Sequence, residues 1–334
     1  MKKLRFLLFP FAILYGIILK IRHFLYDNNI KKSKKYDLPI LCVGNVSVGG
    51  TGKTPMIEYL IRLLYKKKKI AVLSRGYKRK TKGFVLADEN SSAISLGDEP
   101  FQYYQKFENI QVAVCEQRAI GIENLLLQTN APEVILLDDA FQHRKVQASA
   151  NILLTVYYNL FIDDFLLPVG LLRDLKERAY KASYIVVTKC PTNISENDKQ
   201  KIIKKLRPNK EQKIAFASIQ YSEKVVSLQN EILLHDWINE PFTLVTGIAN
   251  PQPMIDYLKE QKAIFEVLKY PDHHHFSESE IKNLLSKKRI LTTEKDFVRL
   301  SSSIKDLFYL PIEMYFPDNT EKIEFENWIS NQVK

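Results

Sequence analysis

The sequence predicts an α/β protein with a mostly parallel sheet in a larger domain, a second, smaller α/β domain and an amphipathic N-terminal helix. Three observations predict this fold. Short apolar runs alternate with helical stretches from Leu38 onward, a glycine-rich loop joins the first run to a helix, and a second series begins near Phe242. Buried strands separated by helices are typical of a parallel sheet that is covered on both faces.

The N-terminal segment is both basic and apolar. Of a net charge of +11, residues 1–37 contribute nine basic residues against two acidic ones, and residues 6–19 (FLLFPFAILYGIIL) carry no charge. This run is shorter than the ~20 residues that cross a membrane. Apolar residues recur at helical spacing, which predicts a helix lying on an anionic membrane surface. They are Leu14, Ile17, Ile18, Ile21, Phe24 and Leu25.

Two other interpretations of this segment remain, namely a helix packed on the protein's own core and a signal peptide. No small-residue cleavage site follows the apolar run, so export is disfavoured. The remainder of the chain is nearly balanced in charge, which gives no indication of a nucleic-acid groove. Cys42, Cys115 and Cys190 are scattered, so they fit neither a disulfide framework nor a zinc site and favour a reducing compartment.

The pattern divides the chain into four segments. Residues 1–37 form the membrane-associated helix and a basic linker, 38–218 the larger domain, 219–240 a linker and 241–334 the smaller domain. The strands predicted in the larger domain are residues 39–43, 70–73, 110–114, 134–137, 152–156 and 184–187. In the smaller domain, strands are predicted at 242–247, 264–268 and 289–291, helices at 251–259 and after Ser277, whose capping box includes Glu280, and a short helix capped by Thr293.

The loop at residues 44–55 (GNVSVGGTGKTP) has the context of a phosphate-binding loop, directly after a strand and before a helix. Its glycines let backbone N–H groups approach phosphate oxygens, and the helix adds its positive end. Lys53 is expected to contact the β- and γ-phosphates and Thr54 to bind Mg²⁺. Ser47 replaces the usual first glycine. The predicted nucleotide-binding residues are Ser47, Val48, Gly49, Gly50, Thr51, Gly52, Lys53 and Thr54.

A P-loop NTPase holds its magnesium with acidic residues at the end of a neighbouring strand. Asp138 and Asp139, in LLDDAFQHR at residues 136–144, are the candidates, although adjacent carboxylates can also cap a helix. Gln142 and His143 follow closely and are candidate substrate contacts. The P-loop by itself does not distinguish a kinase from a GTPase or an ATP-driven motor.

Two further motifs carry candidate catalytic residues. Asp98, in GDEP, can act as a general base for a sugar hydroxyl, as a metal contact or as a helix N-cap. The three consecutive histidines of DHHHF (residues 272–276) can equally form a solvated turn. Arg75 and Tyr77 in SRGYKRK, and Arg173 in LPVGLLRD, are candidate contacts for an anionic substrate, with structural salt bridges as the alternative for the arginines.

The motifs together resemble the tetraacyldisaccharide 4′-kinases, the lipid A 4′-kinases of Gram-negative bacteria. GNVSVGGTGKTP, SRGYKRK, GDEP, DDAFQH, LPVGLLRD, GIANP, DHHHF and LTTEKD occur in that family's order, up to about residue 300. The resemblance implies a peripheral enzyme of the cytoplasmic face of the inner membrane. It implies transfer of phosphate from ATP, with Mg²⁺, to the 4′-hydroxyl of a tetraacyldisaccharide 1-phosphate. It also implies a P-loop domain joined by a β-linker to the smaller domain.

Carried onto this chain, the resemblance makes Asp98 the catalytic base, assisted by His273, and puts Asp138 and Asp139 near magnesium. Four positions depart from the family pattern: Leu171, Asp174, Ala140 and Ala249. They leave the reaction class unchanged but can reshape the sugar or acyl-chain pocket. Two other classes stay open at this point, a membrane-associated P-loop ATPase of the partitioning or targeting type and a non-catalytic nucleotide-binding scaffold.

Overall fold

The computed structural model describes residues 6–334, so Lys2, Lys3 and Arg5 of the basic N-terminus lie outside the described residues. A 3-10 turn over Phe6–Leu8 leads into α1, Phe9–Asp27. Proline is found in the first turn of α1. Proline is tolerated there because its missing N–H would have no partner within the helix.

The larger domain is built on an eight-stranded sheet with the order β3-β4-β2-β5-β1-β6-β7-β8. All neighbouring strands are parallel except β3, which runs antiparallel to β4 at the edge. The strands are β1 Ile40–Gly44, β2 Ile70–Ser74, β3 Val85–Leu86, β4 Ile110–Val114, β5 Val134–Asp138, β6 Ala150–Val156, β7 Tyr184–Thr188 and β8 Lys213–Phe216.

Helices cover both faces of this sheet, which explains why β1, β2, β5 and β7 are buried along their whole length. The covering helices are α2 Lys53–Leu64, α3 Ala93–Leu96, α4 Asp98–Lys106, α5 Arg118–Leu126 and α6 Glu196–Leu206, with 3-10 turns at Phe161–Asp163 and Lys176–Lys181. Two apolar cores result, one on each side of the sheet. The predicted fold class is confirmed.

The rest of the chain forms the strands β9 Ser218–Tyr221, β10 Lys224–Val226, β11 Glu231–Leu233, β12 Phe242–Thr246, β13 Phe265–Lys269, β14 Ile290–Thr292, β15 Leu307–Tyr309 and β16 Ile312–Tyr315. The accompanying helices are α7 Leu234–Trp237, α8 Gln252–Glu260, α9 Glu278–Leu285, α10 Glu294–Leu300 and α11 Asn319–Gln332. Six of these strands make a second sheet in the order β11-β10-β15-β14-β12-β13. Ser277 and Thr293 cap α9 and α10 as predicted.

A two-stranded antiparallel ribbon of β9 and β16 joins the two sheets. After β16 the chain returns to the larger domain, where Phe325 and Ile329 of α11 are fully buried in the same core as Tyr184. Within the predicted linker, β10 and β11 belong to the smaller sheet. The predicted segment boundaries stay a prediction. In the structure, the chain leaves the core of the larger domain near residue 217 and returns to it at Met314.

Candidate active site

The predicted phosphate-binding loop runs from the end of β1 to the start of α2. Gly52 is the N-cap of α2 and has a φ of 89°, a left-handed conformation that favours glycine. Two hydrogen bonds hold the loop from outside. The Val48 N–H donates to the Leu171 carbonyl at 2.7 Å, and the Thr188 hydroxyl donates to the Thr51 carbonyl at 2.8 Å. The backbone is therefore preorganised to present N–H groups to an anion.

Lys53 lies in the first turn of α2, close to two groups of the site. Its Nζ donates to Asn45 Oδ1 at 3.3 Å and lies 3.7 Å from Asp139 Oδ1. Burial lowers the pKa of Lys53, and the Asp139 carboxylate only partly opposes this effect. A partly desolvated ammonium in this position interacts strongly with a phosphate.

Arg173 forms an ion pair with Asp139, the residue that follows β5. This ion pair attaches the loop of residues 165–173 to the end of β5. The Arg173 guanidinium donates to both carboxylate oxygens, at 2.9 Å to Oδ2, and to Asn45. Gln142 Nε2 donates to the Asn45 carbonyl at 2.6 Å. Burial would raise the pKa of Asp139, but the hydrogen bond from Arg173 and the charge of Lys53 together lower it. Lys53, Asp139, Gln142 and Arg173 thus meet around Asn45.

Asp138 ends β5 and is buried. Its Oδ2 accepts from the Tyr103 hydroxyl at 3.3 Å, whereas Oδ1 has no hydrogen-bond partner among the described residues. Burial, reinforced by the Asp139 charge, raises the pKa of Asp138 to about 7. A cation beside Oδ1 would satisfy this oxygen, so the carboxylate fits a magnesium ligand.

No group of three or more His, Cys, Asp or Glu side chains suited to a metal occurs within residues 6–334. Proteins usually hold Mg²⁺ by one or two carboxylates together with substrate phosphates and water. The residues available for it here are Asp138, Asp139 and the hydroxyl of Thr54.

A second cluster forms around Asp98, the first residue of α4. The N-cap of α4 is Gly97, and the Asp98 carboxylate instead contacts the smaller domain. Its Oδ2 lies 2.8 Å from His273 Nδ1, and Arg299 of α10 donates to both of its oxygens, at 3.1 Å to Oδ1. Burial would raise the pKa of Asp98, but the contacts of Arg299 and then those of His273 lower it.

The other histidines of the DHHHF motif do not share this arrangement. His274 pairs with Glu280 at 3.0 Å and stacks on Tyr270. His273 itself has a φ of 58°, and its N–H donates to the Gly247 carbonyl at 3.2 Å. The structure therefore brings His273, the residue selected by the motif match, to Asp98.

The segment after β2 lies beside this cluster. Gly97 has a φ of 92°, and a Cβ there would lie 2.9 Å from the Tyr77 carbonyl, so only glycine permits this close approach. The Tyr77 ring is 61% exposed and packs edge-on against His273, with ring centroids 5.7 Å apart. Arg75 is exposed, with no hydrogen bond or ion pair to another described residue. Both side chains are accessible to a substrate.

His143 lies deeper than Arg75, and burial together with the charges of Arg118 and Arg75 lowers its pKa to about 4. Arg118 of α5 is buried and donates to the Cys115 carbonyl at 2.6 Å and to the Asp138 carbonyl at 3.3 Å. His143 is therefore neutral at physiological pH, in a region of positive potential that suits an anionic ligand.

One face of α1 supports these loops through polar contacts. Tyr15 donates to the Arg173 carbonyl at 2.8 Å, and Arg22 donates to the Gln142 carbonyl at 2.6 Å. His23 Nε2 lies 2.6 Å from Asp174 Oδ1, and both side chains are buried. The helix is thus attached to the segments that carry two candidate site residues.

The opposite face of α1 is apolar and exposed. It presents Phe11, Ile13, Leu14, Ile17, Ile18, Ile21 and Phe24. By length and composition, α1 is one helix of the described chain that could cross a membrane. The predicted apolar face therefore faces solvent, except that Leu25 is half-buried. The other face of α1 packs on the protein, as the core-packing interpretation expected.

Sequence reasoning missed Asn45, Tyr103, Arg118 and Arg299. Asn45 had a local signal, because it lies between β1 and the glycine-rich loop. The other three had none, since each joins the site from a separate element.

The model of the tetraacyldisaccharide-1-P 4′-kinase family, LpxK, matches residues 4–334. The chain belongs to this family. A tetraacyldisaccharide 4′-kinase of Flavobacterium johnsoniae is 51% identical over 329 residues, covering 97% of this chain and 96% of the relative. One of Flavobacterium psychrophilum is 52% identical over 341 residues, covering 100% of this chain and 98% of the relative.

A solved structure of LpxK from Aquifex aeolicus in complex with ATP is similar over the whole fold. The TM-score is 0.80 at 29% identity, with 99% of this chain and 100% of that chain covered. The family resemblance inferred from the eight motifs is confirmed. The roles of the individual site residues stay predictions.

Proposed function

We propose that this tetraacyldisaccharide 4′-kinase family member transfers the γ-phosphate of ATP to the 4′-hydroxyl of a tetraacyldisaccharide 1-phosphate, a lipid A precursor. The observation that carries the proposal is the pairing of Asp98 with His273, 2.8 Å apart, across two domains of a chain that also has a phosphate-binding loop. An ATPase of the partitioning type has no need of a base for an acceptor hydroxyl, so that alternative is not favoured.

In this reaction Asp98 takes the proton of the 4′-hydroxyl as its oxygen bonds to the γ-phosphorus, and ADP leaves with the bridging oxygen. Lys53 stabilises charge on the transferring phosphate. Asp138, Asp139 and Thr54 would hold Mg²⁺, which neutralises phosphate charge when it is bound. Residues of both domains form the Asp98 cluster, so their approach would exclude water that could otherwise hydrolyse ATP.

We assign the sugar phosphate of the acceptor to the positive region after β2. Arg75 and Tyr77 are exposed there and available, and His143 is neutral and able to hydrogen-bond. Gln142 and Arg173 already have protein partners, Asn45 and Asp139. We therefore assign to Gln142 and Arg173 the positioning of Asn45 and Asp139, together with any direct contact that they make to the bound acceptor.

We also propose that the exposed face of α1 docks on the cytoplasmic surface of the inner membrane. The face is apolar, and the N-terminal segment that contains it carries an excess of lysines and arginines, which is the composition of an interfacial helix on anionic lipid. Docking there would place the active site within reach of a substrate whose acyl chains stay in the bilayer.

The test is a kinase assay with Mg²⁺, γ-labelled ATP and tetraacyldisaccharide 1-phosphate in detergent, run beside the variant Lys53→Ala. We expect label in the lipid with the native protein and almost none with the variant. Consumption of ATP without labelled lipid would favour an ATPase, and no consumption would favour a nucleotide-binding scaffold.

A further inference from the structure

Two sequence motifs, GIANP at residues 247–251 and LTTEKD at residues 291–296, have no role in the reaction described so far. The structure brings them together through Asp296 of α10, whose side chain is fully buried. Its Oδ2 accepts a hydrogen bond at 2.8 Å from the N–H of Gly247, the residue that follows β12. Because these two residues are 49 positions apart in the sequence, the contact is a tertiary one.

A local helix cap explains only part of the Asp296 contacts. The Thr293 hydroxyl donates to Oδ2 at 2.7 Å, and the Asp296 N–H donates to the Thr293 hydroxyl oxygen at 3.2 Å, as is usual at the start of a helix. Asp198 in α6 makes the corresponding contacts with Ser195, at 2.8 and 3.1 Å, but it is partly exposed. Capping therefore does not account for the burial of Asp296 or for its contact with Gly247.

Through Gly247, Asp296 supports the backbone that carries His273. The Gly247 carbonyl accepts from the His273 N–H at 3.2 Å. The packing is close here, because a Cβ on Gly247 would lie 2.8 Å from Asp296 Oδ1 and 3.3 Å from the Pro271 carbonyl. His273 has a φ of 58°, a conformation that is uncommon for residues other than glycine and that depends on support from its surroundings. The link from Asp296 through Gly247 gives this support.

A second link leads through Arg299. Asp296 Oδ1 accepts from Arg299 Nη1 at 3.3 Å. The same guanidinium donates from Nε to Asp98 Oδ1 at 3.1 Å and from Nη2 to Asp98 Oδ2. Asp296 and Asp98 therefore hold the guanidinium from two sides. Arg299 and His273, which contact the Asp98 carboxylate from the smaller domain, are thus both linked to Asp296.

The buried carboxylate of Asp296 has a cost in the folded protein. Burial raises its pKa, and the hydrogen bonds from Gly247 and Thr293 together with the charge of Arg299 only partly oppose this effect. An exposed cap such as Asp198 holds the start of a helix without that cost. A buried network in which each polar group has a partner instead fixes one arrangement of the groups around it.

We propose that Asp296 is a positioning residue for phosphoryl transfer, which holds His273 and Arg299 in the arrangement that contacts Asp98. Because Asp296 is fully buried, it acts through these two residues and not by contact with the nucleotide or the acceptor. This inference rests on the proposed function, in which Asp98 accepts the proton of the acceptor hydroxyl. Displacement of a positioning group lowers turnover, so the effect should appear in kcat rather than in ATP affinity.

The first test is the variant Asp296→Asn, which keeps the shape of the side chain and replaces one accepting oxygen by an amide group. We expect kcat for lipid phosphorylation to fall about tenfold, with ATP affinity within about twofold of the native value. Asp198→Asn is the matched control, because Asp198 has the same cap position and an ion pair with Lys201 at the spacing of Asp296 and Arg299. We expect native kcat for the control. Thermal unfolding verifies that each variant is folded.

A double variant separates positioning from a general loss of structure. If Asp296 acts through Asp98, Asp296→Asn should add almost nothing in the Asp98→Asn background, so that the two kcat values agree within about twofold. Independent structural damage would multiply the two losses, and that result would overturn the proposal, as would native kcat in folded Asp296→Asn. Native kcat in Asp98→Asn alone is a distinct result, which would overturn the proposed function.

Gly247→Ala tests the same link from its other side and applies even if Asp296→Asn does not fold. The added Cβ would displace the Asp296 carboxylate, while the carboxylate itself is kept. We expect kcat to fall here too, and the fall to disappear in the Asp98→Asn background. Native kcat in folded Gly247→Ala would contradict the proposal.

Discussion

Asp98 is a carboxylate whose chemistry is controlled by residues of the other domain. Arg299 donates to both of its oxygens and His273 lies 2.8 Å from one of them. These contacts lower the pKa of Asp98 although burial opposes them, so the group is ionised at neutral pH and is available as a proton acceptor. A low pKa also makes a weaker base, because general bases work best when their pKa lies near the operating pH.

Replacing Asp98 by asparagine keeps the shape of the side chain and removes its ability to accept the proton. We expect Asp98→Asn to lower kcat by about 100-fold or more, with ATP affinity changed by less than about twofold. Initial rates and calorimetric ATP binding measure the two quantities, and Asp256→Asn on the exposed face of α8 is the control. Lost ATP affinity with normal turnover of bound substrate would make Asp98 a binding residue.

Arg299 sets the pH range in which Asp98 is ionised. Because the guanidinium lowers the pKa of Asp98, Arg299→Met should raise it, and a larger fraction of the base is then protonated at acidic pH. We expect the acid limb of kcat/KM to move to higher pH. The control is Lys305→Met, which removes an exposed cation five residues after the same helix. An acid limb that stays in place would show that Asp98 is not the group that must be deprotonated.

At the scale of the element, the two faces of α1 have different roles. Tyr15, Arg22 and His23 bind the segments that hold Gln142 and Arg173. The other face exposes a continuous set of large apolar side chains, and a patch of this kind marks an interaction surface. The helix thus couples the position of two site residues to whatever its apolar face binds.

Two aspartates introduced on the exposed face should separate membrane binding from the support that α1 gives to the active site. We expect the double variant Ile17→Asp and Ile21→Asp to lose binding to anionic liposomes, because each aspartate opposes burial in the membrane and repels acidic lipids. Sedimentation with liposomes measures binding, and activity toward lipid in detergent should be largely kept. Leu127→Asp with Ile264→Asp, two exposed apolar residues elsewhere, is the control. Unchanged sedimentation would mean that this face does not meet the membrane.

At the scale of the whole molecule, α4 of the larger domain and α10 of the smaller one meet through charged pairs. Lys295 pairs with Glu99 at 2.7 Å, and Glu294 is paired with Lys106, which also contacts Glu58 at 2.7 Å. Glu294 is buried, and burial together with the Glu58 charge raises its pKa to about 7. The domain contact therefore includes a carboxyl group that resists ionisation.

This carboxyl makes the stability of the protein depend on pH. The pKa of Glu294 is higher in the folded state than its ordinary value of 4.5, so the folded state binds the proton more tightly. Its contribution to the free energy of unfolding is complete below pH 4.5 and is lost as pH rises to about 7. The variant Glu294→Gln cannot ionise and should not show this loss.

We expect the free energy of unfolding of Glu294→Gln, relative to the native protein, to rise between acidic and mildly basic pH. The rise is of the order of 1–3 kcal/mol, by linkage to the shifted pKa. Urea unfolding at both ends of that range measures it. Glu313→Gln, which removes a partly exposed partner of Arg62, is the control. A difference that does not change with pH would mean that Glu294 ionises as easily in the folded protein as in the unfolded chain.

The sequence by itself determined the features that depend on local spacing. Strand and helix periodicity predicted the parallel sheet, and the loop at residues 44–55 predicted the phosphate site because backbone N–H groups and a helix end suffice for it. The aspartates after β5 and the apolar run in α1 have equally local patterns. The ordered motifs also indicate the family without any knowledge of side-chain contacts, and the family model matches residues 4–334.

Only the tertiary structure decided which side chains meet. Arg299 reaches Asp98 across 201 positions of sequence, and Tyr15 reaches the Arg173 carbonyl across 158, distances over which no periodic pattern specifies a partner. The same holds for α11, which packs into a core of the larger domain although it follows the smaller domain in the sequence. Such contacts are fixed by how whole elements pack, because a pairing between distant segments depends on every layer that lies between them.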